Sequence, residues 1–133
     1  LTAPDARTLD FDELNFIEKG KNYGWPTIQG DQTKEGMVTP IINSGPTTTW
    51  APSSSLYYKG SIFFTGLRGE SLYQYDTKTK TLKAHFTKEF GRLRSAVLGT
   101  DDYFYLLTNN TDGRGNPKPN DDKLIKIDAN AFF

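Results

Sequence analysis

Short runs of alternating apolar and polar residues are concentrated between residues 47 and 85. Aromatic and β-branched side chains recur there at every second position, and Gly and Asp interrupt them. This pattern is typical of β-strands joined by tight turns, and not of helices. It predicts antiparallel strands over residues 56–58, 62–65, 72–75 and 81–85, with turns at residues 59–60, 66–69 and 76–80. Four strands within about forty residues is the size of one propeller blade.

A second series of strands follows the first. The pattern predicts strands over residues 92–98, 103–108 and 123–128, and residues 131–133 begin another. Residues 99–102 form a hairpin turn, and residues 109–122 form a loop rich in Asn, Asp, Gly and Pro. We therefore expect an all-β protein.

The two series form a weak internal repeat. Residues 56–58 match 96–98, residues 62–65 match 104–107, and residues 72–75 match 124–127. A period of roughly 40 to 50 residues indicates propeller blades, which cannot bury both of their faces alone. We expect a single partial propeller domain over residues 1–133, with a blade at 47–90 and a second blade at 91–133.

The first 46 residues carry less regular patterning. Residues 1–10 are predicted to be an irregular lead-in, residues 11–17 a short strand, and residues 29–46 a long loop. Between them, two glycines and a proline surround Asn22-Tyr23 and Trp25, which predicts a tight turn anchored by aromatic rings.

Composition excludes several classes of function. The 16 basic and 16 acidic residues cancel and are not segregated, so neither nucleic acid nor an anionic membrane is an expected partner. The absence of Cys excludes disulfides, thiolate chemistry and Cys-based zinc sites. No apolar run approaches the roughly 18 residues that a membrane-spanning helix needs, and no signal-peptide pattern is present.

Residues 12–26 read DELNFIEKGKNYGWP. They resemble the D-E-[LI]-N-x-I-x-x-G-x-N-Y-G-W-P signature of the soluble quinoprotein sugar dehydrogenases, the glucose/sorbosone dehydrogenases that use pyrroloquinoline quinone (PQQ). Three later segments resemble the same family in the same order: Ala51-Pro52-Ser53-Ser54, Arg92-Leu93-Arg94, and residues 105–108 with 124–127. The resemblance implies the C-terminal portion of a six-bladed propeller, about two to two and a half blades.

The resemblance also implies four PQQ-binding residues. Thr49 lines the site through its hydroxyl, Arg68 occupies a position that is basic in the family, and Arg92 and Arg94 match an R-x-R pair that holds PQQ and polarises its quinone. Bidentate guanidinium groups suit the carboxylates of PQQ, and positive charge stabilises the oxyanion formed as the quinone accepts hydride. On a regular strand the two arginines would point to the same face.

Calcium is implied in the same way. Glu13 and Tyr23 match positions that line a structural Ca²⁺ site, the tyrosine through its backbone carbonyl, and hard oxygen ligands are what Ca²⁺ prefers. The family's catalytic calcium is bound by a Gly-Pro pair just upstream, but residues 6–10 here read Ala-Arg-Thr-Leu-Asp. The family's catalytic base is a His from an early blade, and the single histidine, His85, does not match it.

The resemblance therefore implies that a complete protein oxidises an aldose at C1 to the lactone, in the periplasm or outside the cell, whereas this chain alone is inactive and contributes no catalytic residue. The alternative is a non-catalytic propeller module that binds a carbohydrate or protein partner through Tyr23, Trp25 and Trp50. A partial propeller exposes blade faces and strand edges. They would be covered by missing N-terminal blades or by self-association, in which three copies close one ring.

Several of these residues also have purely structural interpretations. Trp50 suits core packing, Arg68 an exposed loop, and His85 an exposed strand position. The pairs Asp101-Asp102 and Asp121-Asp122 resemble metal ligands, but such pairs usually cap turns. Asn109-Asn110-Thr111 fits a glycosylation sequon.

Overall fold

The computed structural model describes residues 11–133, so the predicted lead-in over residues 1–10 and the segment lacking Gly-Pro lie outside the described residues. The chain divides into two compact units, Leu1–Thr49 and Trp50–Phe133. The strands of the described part are β1 (Glu13–Leu14), β2 (Ile42–Asn43), β3 (Pro52–Tyr58), β4 (Ser61–Gly66), β5 (Ser71–Asp76), β6 (Leu82–His85), β7 (Leu93–Leu98), β8 (Tyr103–Thr108) and β9 (Leu124–Asp128).

The first unit contains one small antiparallel ladder, in which Glu13 pairs with Asn43 and Leu14 with Ile42. The predicted strand over residues 11–17 is thus only two residues long, and β2 lies inside the stretch predicted to be a loop. That part of the loop prediction was wrong, because a two-residue strand carries no alternation that a local pattern can detect. It forms only because a distant strand supplies its hydrogen-bond partners.

The tight turn predicted around Tyr23 and Trp25 is present. Gly24 has φ +92°, and a Cβ at this position would lie 2.0 Å from Ile28 Cγ1. Its N–H donates to Asn22 Oδ1 at 2.9 Å. A glycine is required here both by the positive φ and by the close approach of the isoleucine.

The second unit begins with a four-stranded antiparallel sheet in the order β3-β4-β5-β6, as the alternation predicted. Lys59 and Gly60 both have positive φ, which suits the twist of a two-residue hairpin. In the connection between β5 and β6, Asp76 Oδ1 accepts hydrogen bonds from the N–H groups of Lys78 and Thr79, both at 2.8 Å.

The second sheet has three antiparallel strands in the order β7-β8-β9, and residues 109–122 form the predicted loop. The strand predicted at residues 131–133 was wrong, because Ala129–Phe132 is a 3-10 turn. Asp128 caps this turn by accepting from the Asn130 N–H at 2.8 Å. The turn directs the Phe132 ring onto Phe63 and Phe104, at centroid distances of 5.2 and 5.4 Å.

The internal repeat is visible in how the two sheets are built. The first strand of each sheet carries an irregularity near its start, between Pro52 and Ser54 in β3 and between Leu93 and Ser95 in β7. The hydrophobic core lies between the sheets and is formed by fully or almost fully buried residues from both sheets and from the C-terminal turn: Phe63, Leu72, Leu93, Ala96, Phe104, Leu106 and Ala129. The blades therefore stack face to face, as the repeat predicted.

The opposite face of the second sheet carries several exposed apolar side chains. Val97, Leu107 and Leu124 project from it and are 54, 45 and 66% exposed. The register places them together, because Leu107 pairs with Leu124 and Val97 with Tyr105. An exposed apolar sheet face of this kind marks an interface with another element.

Candidate functional site

Arg92 is the most enclosed of the predicted site residues. It lies one residue before β7 and is only 8% exposed. Its Nε donates to the Asn109 carbonyl at 3.2 Å, Nη1 makes a longer contact of 3.5 Å to the Leu67 carbonyl, and Nη2 pairs with Asp112 Oδ2 at 3.0 Å. A guanidinium has five N–H donors. Within residues 11–133, one N–H on each terminal nitrogen therefore keeps no protein partner.

Arg94 lies in a different environment. Its side chain is exposed, and its backbone carbonyl accepts from Ser53 Oγ at 2.6 Å. The prediction that Arg92 and Arg94 share one strand face was wrong, because Arg92 precedes the strand and a bulge at Arg94 breaks the alternation. The pair combines one fixed, buried guanidinium with one exposed guanidinium.

The structure brings the turn that carries Arg68 into contact with Arg92. Arg68 is exposed between β4 and β5, as the structural interpretation expected, and its N–H donates to the Trp50 carbonyl at 3.2 Å. The preceding residue, Leu67, supplies a carbonyl to Arg92 Nη1. The three arginines predicted to bind PQQ therefore all belong to the second unit, and the turn that carries Arg68 contacts Arg92.

Thr49 belongs to the first unit. Its hydroxyl donates to Asp12 Oδ2 at 2.7 Å, and Asp12 is almost fully buried. The hydroxyl proton is thus committed to the carboxylate, while the oxygen lone pairs can still accept a hydrogen bond. The contact with Asp12, 37 positions away, has no local signal in the sequence.

Glu13, which is predicted to line a calcium site, lies beside a second side chain that carries an oxygen. Glu13 Oε1 accepts from the Gly30 N–H at 3.3 Å, and Glu13 Oε2 accepts from Asn15 Nδ2 at 3.1 Å. The other amide atom, Asn15 Oδ1, is buried and has no hydrogen-bond partner in the described residues. A buried acceptor oxygen beside a carboxylate fits a hard cation, and Asn15 was not predicted from the sequence.

Tyr23 is oriented by its phenol group. The hydroxyl donates to the Phe16 carbonyl at 2.7 Å and accepts from the Glu18 N–H at 2.6 Å. These two bonds orient the ring. They do not involve the backbone carbonyl of Tyr23, which is the predicted calcium ligand. Between residues 11 and 133 no cluster of three or more His, Cys, Asp or Glu side chains could hold a metal. A calcium site here would therefore depend on amide and backbone carbonyl oxygens besides Glu13.

His85 is half-buried, so the prediction that its side chain is exposed was only partly correct. Its Nε2 lies 2.9 Å from Gln74 Oε1, and Gln74 Nε2 donates to Ser61 Oγ at 3.1 Å. Burial lowers the pKa of His85, and the nearby Lys83 charge lowers it further. The neutral imidazole stays in a polar network that braces β4, β5 and β6.

The acidic pairs have structural roles, as expected. Asp101 accepts from Tyr105 Oη at 2.8 Å and pairs with Lys126 at 2.8 Å. These bonds lower the pKa of Asp101 to about 2, with the Lys126 bond the largest cause. Asp121 Oδ2 accepts from the Lys118 N–H at 2.6 Å, and Asp122 Oδ2 accepts from Thr111 Oγ1 at 2.6 Å. Their carboxylates organise the loop over residues 109–122.

The two tryptophans differ in exposure. Trp50 is 5% exposed and packs on Phe64 and Tyr73, at centroid distances of 5.1 and 5.6 Å, which confirms its core interpretation. Trp25 is 56% exposed, and Phe16 of the same unit is 70% exposed. Trp25 therefore presents an aromatic surface, whereas Trp50 does not.

The chain is similar to known proteins over most of its length. A model of the family described as Glucose / Sorbosone dehydrogenase matches residues 7–125. The chain is 36% identical to the PQQ-bound form of an aldose sugar dehydrogenase from Streptomyces coelicolor, with a TM-score of 0.82 over 90% of this chain. It is 30% identical to a putative oxidoreductase (glucose dehydrogenase) from Thermus thermophilus, with a TM-score of 0.79 over 89% of this chain.

A curated relative, an uncharacterized protein of Synechocystis, is 30% identical over 77% of this chain. The chain spans only 37% of the length of each of the two solved relatives and 30% of the Synechocystis protein. Its all-β fold is accordingly that of blades from a larger β-propeller. In residues 11–133, none of the helices is long and apolar enough to cross a membrane.

Proposed function

Because the chain belongs to the glucose/sorbosone dehydrogenase family, we propose that it is the C-terminal part of a propeller that oxidises an aldose at C1 to the lactone with PQQ as cofactor. The observation that carries the proposal is the buried Arg92 guanidinium, which keeps one N–H on each terminal nitrogen after its contacts within the described residues. Such a group is oriented for an anionic ligand before the ligand arrives.

The residues of this chain would bind and orient the cofactor. Arg92 and the exposed Arg94 offer guanidinium donors to carboxylate or quinone oxygens, and their charge stabilises negative charge that develops there. Arg68 adds a further positive charge, and the Thr49 oxygen offers an acceptor. When bound, PQQ supplies the hydride-accepting ortho-quinone.

Calcium is the second cofactor that we propose. Asn15 Oδ1 supports this, because a buried amide oxygen without a partner within residues 11–133 is costly unless a cation or donor satisfies it. Glu13 supplies the carboxylate, and Tyr23 would supply its backbone carbonyl. Removing Ca²⁺ with a chelator should destabilise the first unit, and Asn15→Leu should abolish that dependence.

We propose that the catalytic base and the sugar pocket lie in blades outside this span. His85 is held by Gln74, and the exposed apolar face formed by Val97, Leu107 and Leu124 suits contact with a further blade. Association of copies of this chain is the alternative way to cover that face. We also propose a periplasmic or extracellular location, which is testable by fractionation of the source cells.

The test titrates PQQ, with Ca²⁺ present, into the complete protein and into this chain. We expect tight binding by the complete protein and a large loss of affinity in Arg92→Ala and Arg94→Ala, with Lys83→Ala as the control for lost positive charge. Absence of PQQ binding by the complete protein would overturn the proposal. Light scattering on the 15.0 kDa chain, with and without PQQ and Ca²⁺, separates a monomeric part from a ring completed by association.

A second candidate is a non-catalytic module that binds a carbohydrate or protein partner. The exposed Trp25 favours it, because an exposed indole is a common contact surface for ligands. Because Trp50 is buried, it does not belong to the proposed binding surface. Sugar binding that is lost in Trp25→Ala, and unaffected in Arg92→Ala, would support this candidate over the oxidoreductase.

A further inference from the structure

The contacts of Asp112 suggest a role beyond closing a loop. We propose that Asp112 is a positioning residue, which fixes the Arg92 guanidinium so that its remaining N–H groups face a carboxylate-bearing ligand. This inference rests on the proposed PQQ-binding function and adds to it a residue that does not itself contact the ligand.

The Asp112 carboxylate is held on both oxygens. Oδ2 accepts from Arg92 Nη2 at 3.0 Å and from Asn109 Nδ2 at 2.9 Å, and Oδ1 accepts from the Arg114 N–H at 2.9 Å. With both oxygens engaged, the carboxylate cannot rotate without losing a hydrogen bond. The carboxylate therefore holds the guanidinium in one orientation and does not act as a mobile counter-ion.

The backbone and the aliphatic part of the Arg92 side chain are also held in place. A Cβ on Gly115 would lie 2.8 Å from Arg92 Cδ, and a Cβ on Gly91 would lie 2.3 Å from Asn110 Oδ1. That same Asn110 oxygen accepts from the Arg92 N–H at 2.8 Å. Two glycines thus let the loop over residues 109–122 close against both ends of the arginine.

The charge state suits this role. The Arg114 N–H, and then the Arg92 side chain, hold the pKa of Asp112 below its usual range, so the group is ionised at neutral pH. The Asp112 carboxylate occupies one N–H of Nη2, and backbone carbonyls occupy the Nε N–H and one N–H of Nη1. One N–H on Nη1 and one on Nη2 therefore remain for a ligand. A bidentate carboxylate requires two such donors.

A merely structural tether would act differently. If Asp112 only closed the loop, its loss would change stability and would affect ligand binding whether or not Arg92 were present. If it acts through Arg92, its loss has no further effect on binding once Arg92 is removed. A double-mutant cycle separates the two cases.

The experiment measures PQQ affinity of the complete protein by absorbance titration for Asp112→Asn, Arg92→Ala and the double variant. The matched control is Asp101→Asn, which breaks a carboxylate–cation pair of 2.8 Å between the β7–β8 turn and β9. We expect Asp112→Asn to weaken PQQ binding at least about tenfold, the control to change it by less than about twofold, and the double variant to equal Arg92→Ala.

The outcomes distinguish the inference from the function on which it rests. If Arg92→Ala leaves PQQ affinity unchanged, the proposed binding role of Arg92 fails. If Arg92→Ala weakens binding but Asp112→Asn has no effect, tightens binding or adds fully to Arg92→Ala, the positioning role is overturned and the function stands. Should Asp112→Asn not fold, Asp112→Glu keeps the charge but displaces it, and the same loss of affinity and the same cycle are expected.

Discussion

Replacing Thr65 by Val removes a single hydroxyl from the junction of the two sheets. Thr65 is completely buried, and its Oγ1 accepts from the Ser54 N–H at 3.1 Å. The same oxygen lies 3.1 Å from Ser53 Oγ and 3.4 Å from the Arg94 carbonyl. It therefore ties the irregular start of β3 to the bulge of β7, where regular ladder bonds are interrupted.

The cost of this substitution can be worked out from the partners that remain. Ser53 Oγ keeps its 2.6 Å bond to the Arg94 carbonyl, and Ser54 Oγ keeps its 2.8 Å bond from the Ala96 N–H. The Ser54 N–H, in contrast, loses the Thr65 Oγ1 acceptor. This hydrogen bond is part-buried, and removing one partner of a hydrogen bond that is shielded from water costs about 1–3 kcal/mol. We expect Thr65→Val to lower the free energy of unfolding by about 2 kcal/mol, a large part of the stability of a small domain.

Equilibrium unfolding in urea, followed by the fluorescence of the buried Trp50, measures this change. Thr65→Ser is the first control, because it keeps the hydroxyl and loses one methyl, at a cost of about 1 kcal/mol. Thr81→Val is the second, since it makes the same change at an exposed position just before β6 and should shift stability by less than about 0.5 kcal/mol. The reasoning is refuted if Thr65→Val is less destabilising than Thr65→Ser.

Three further predictions follow from single residues. The pKa of His85 is lowered from 6.5 in the folded protein, so the unfolded chain binds more protons below that pH and stability should fall as the pH drops through 6.5, a dependence that His85→Gln flattens in unfolding titrations. Asp101, with a pKa lowered from 3.8 to about 2, should contribute stability above pH 3.8 that is lost toward pH 2, and Asp101→Asn should remove that acid-dependent step. Gly24→Ala should lower the thermal unfolding temperature more than Gly36→Ala, because both have positive φ but only Gly24 has Ile28 within 4 Å; equal effects would contradict the clash.

The strands of the second unit were predictable because their signal is local. Alternation in residues 62–65, 72–75 and 103–108, and turn residues such as Lys59-Gly60, specify where each strand starts and stops. The resemblance carried by residues 12–26 likewise predicted the family, which the match over residues 7–125 confirms. These features depend on neighbours within a few positions along the chain.

The contacts between residues of the candidate site could not be predicted from local sequence patterns. Arg92 meets Asp112 twenty positions later, Thr49 meets Asp12 across 37 positions, and β2 forms only against β1. The C-terminal 3-10 turn forms where Phe132 packs between Phe63 and Phe104. Alternation along the chain specifies which residues can form strands. The packing of two bulged sheets and of the loop between β8 and β9 determines which polar groups meet, because buried donors and charges must find partners wherever the fold places them.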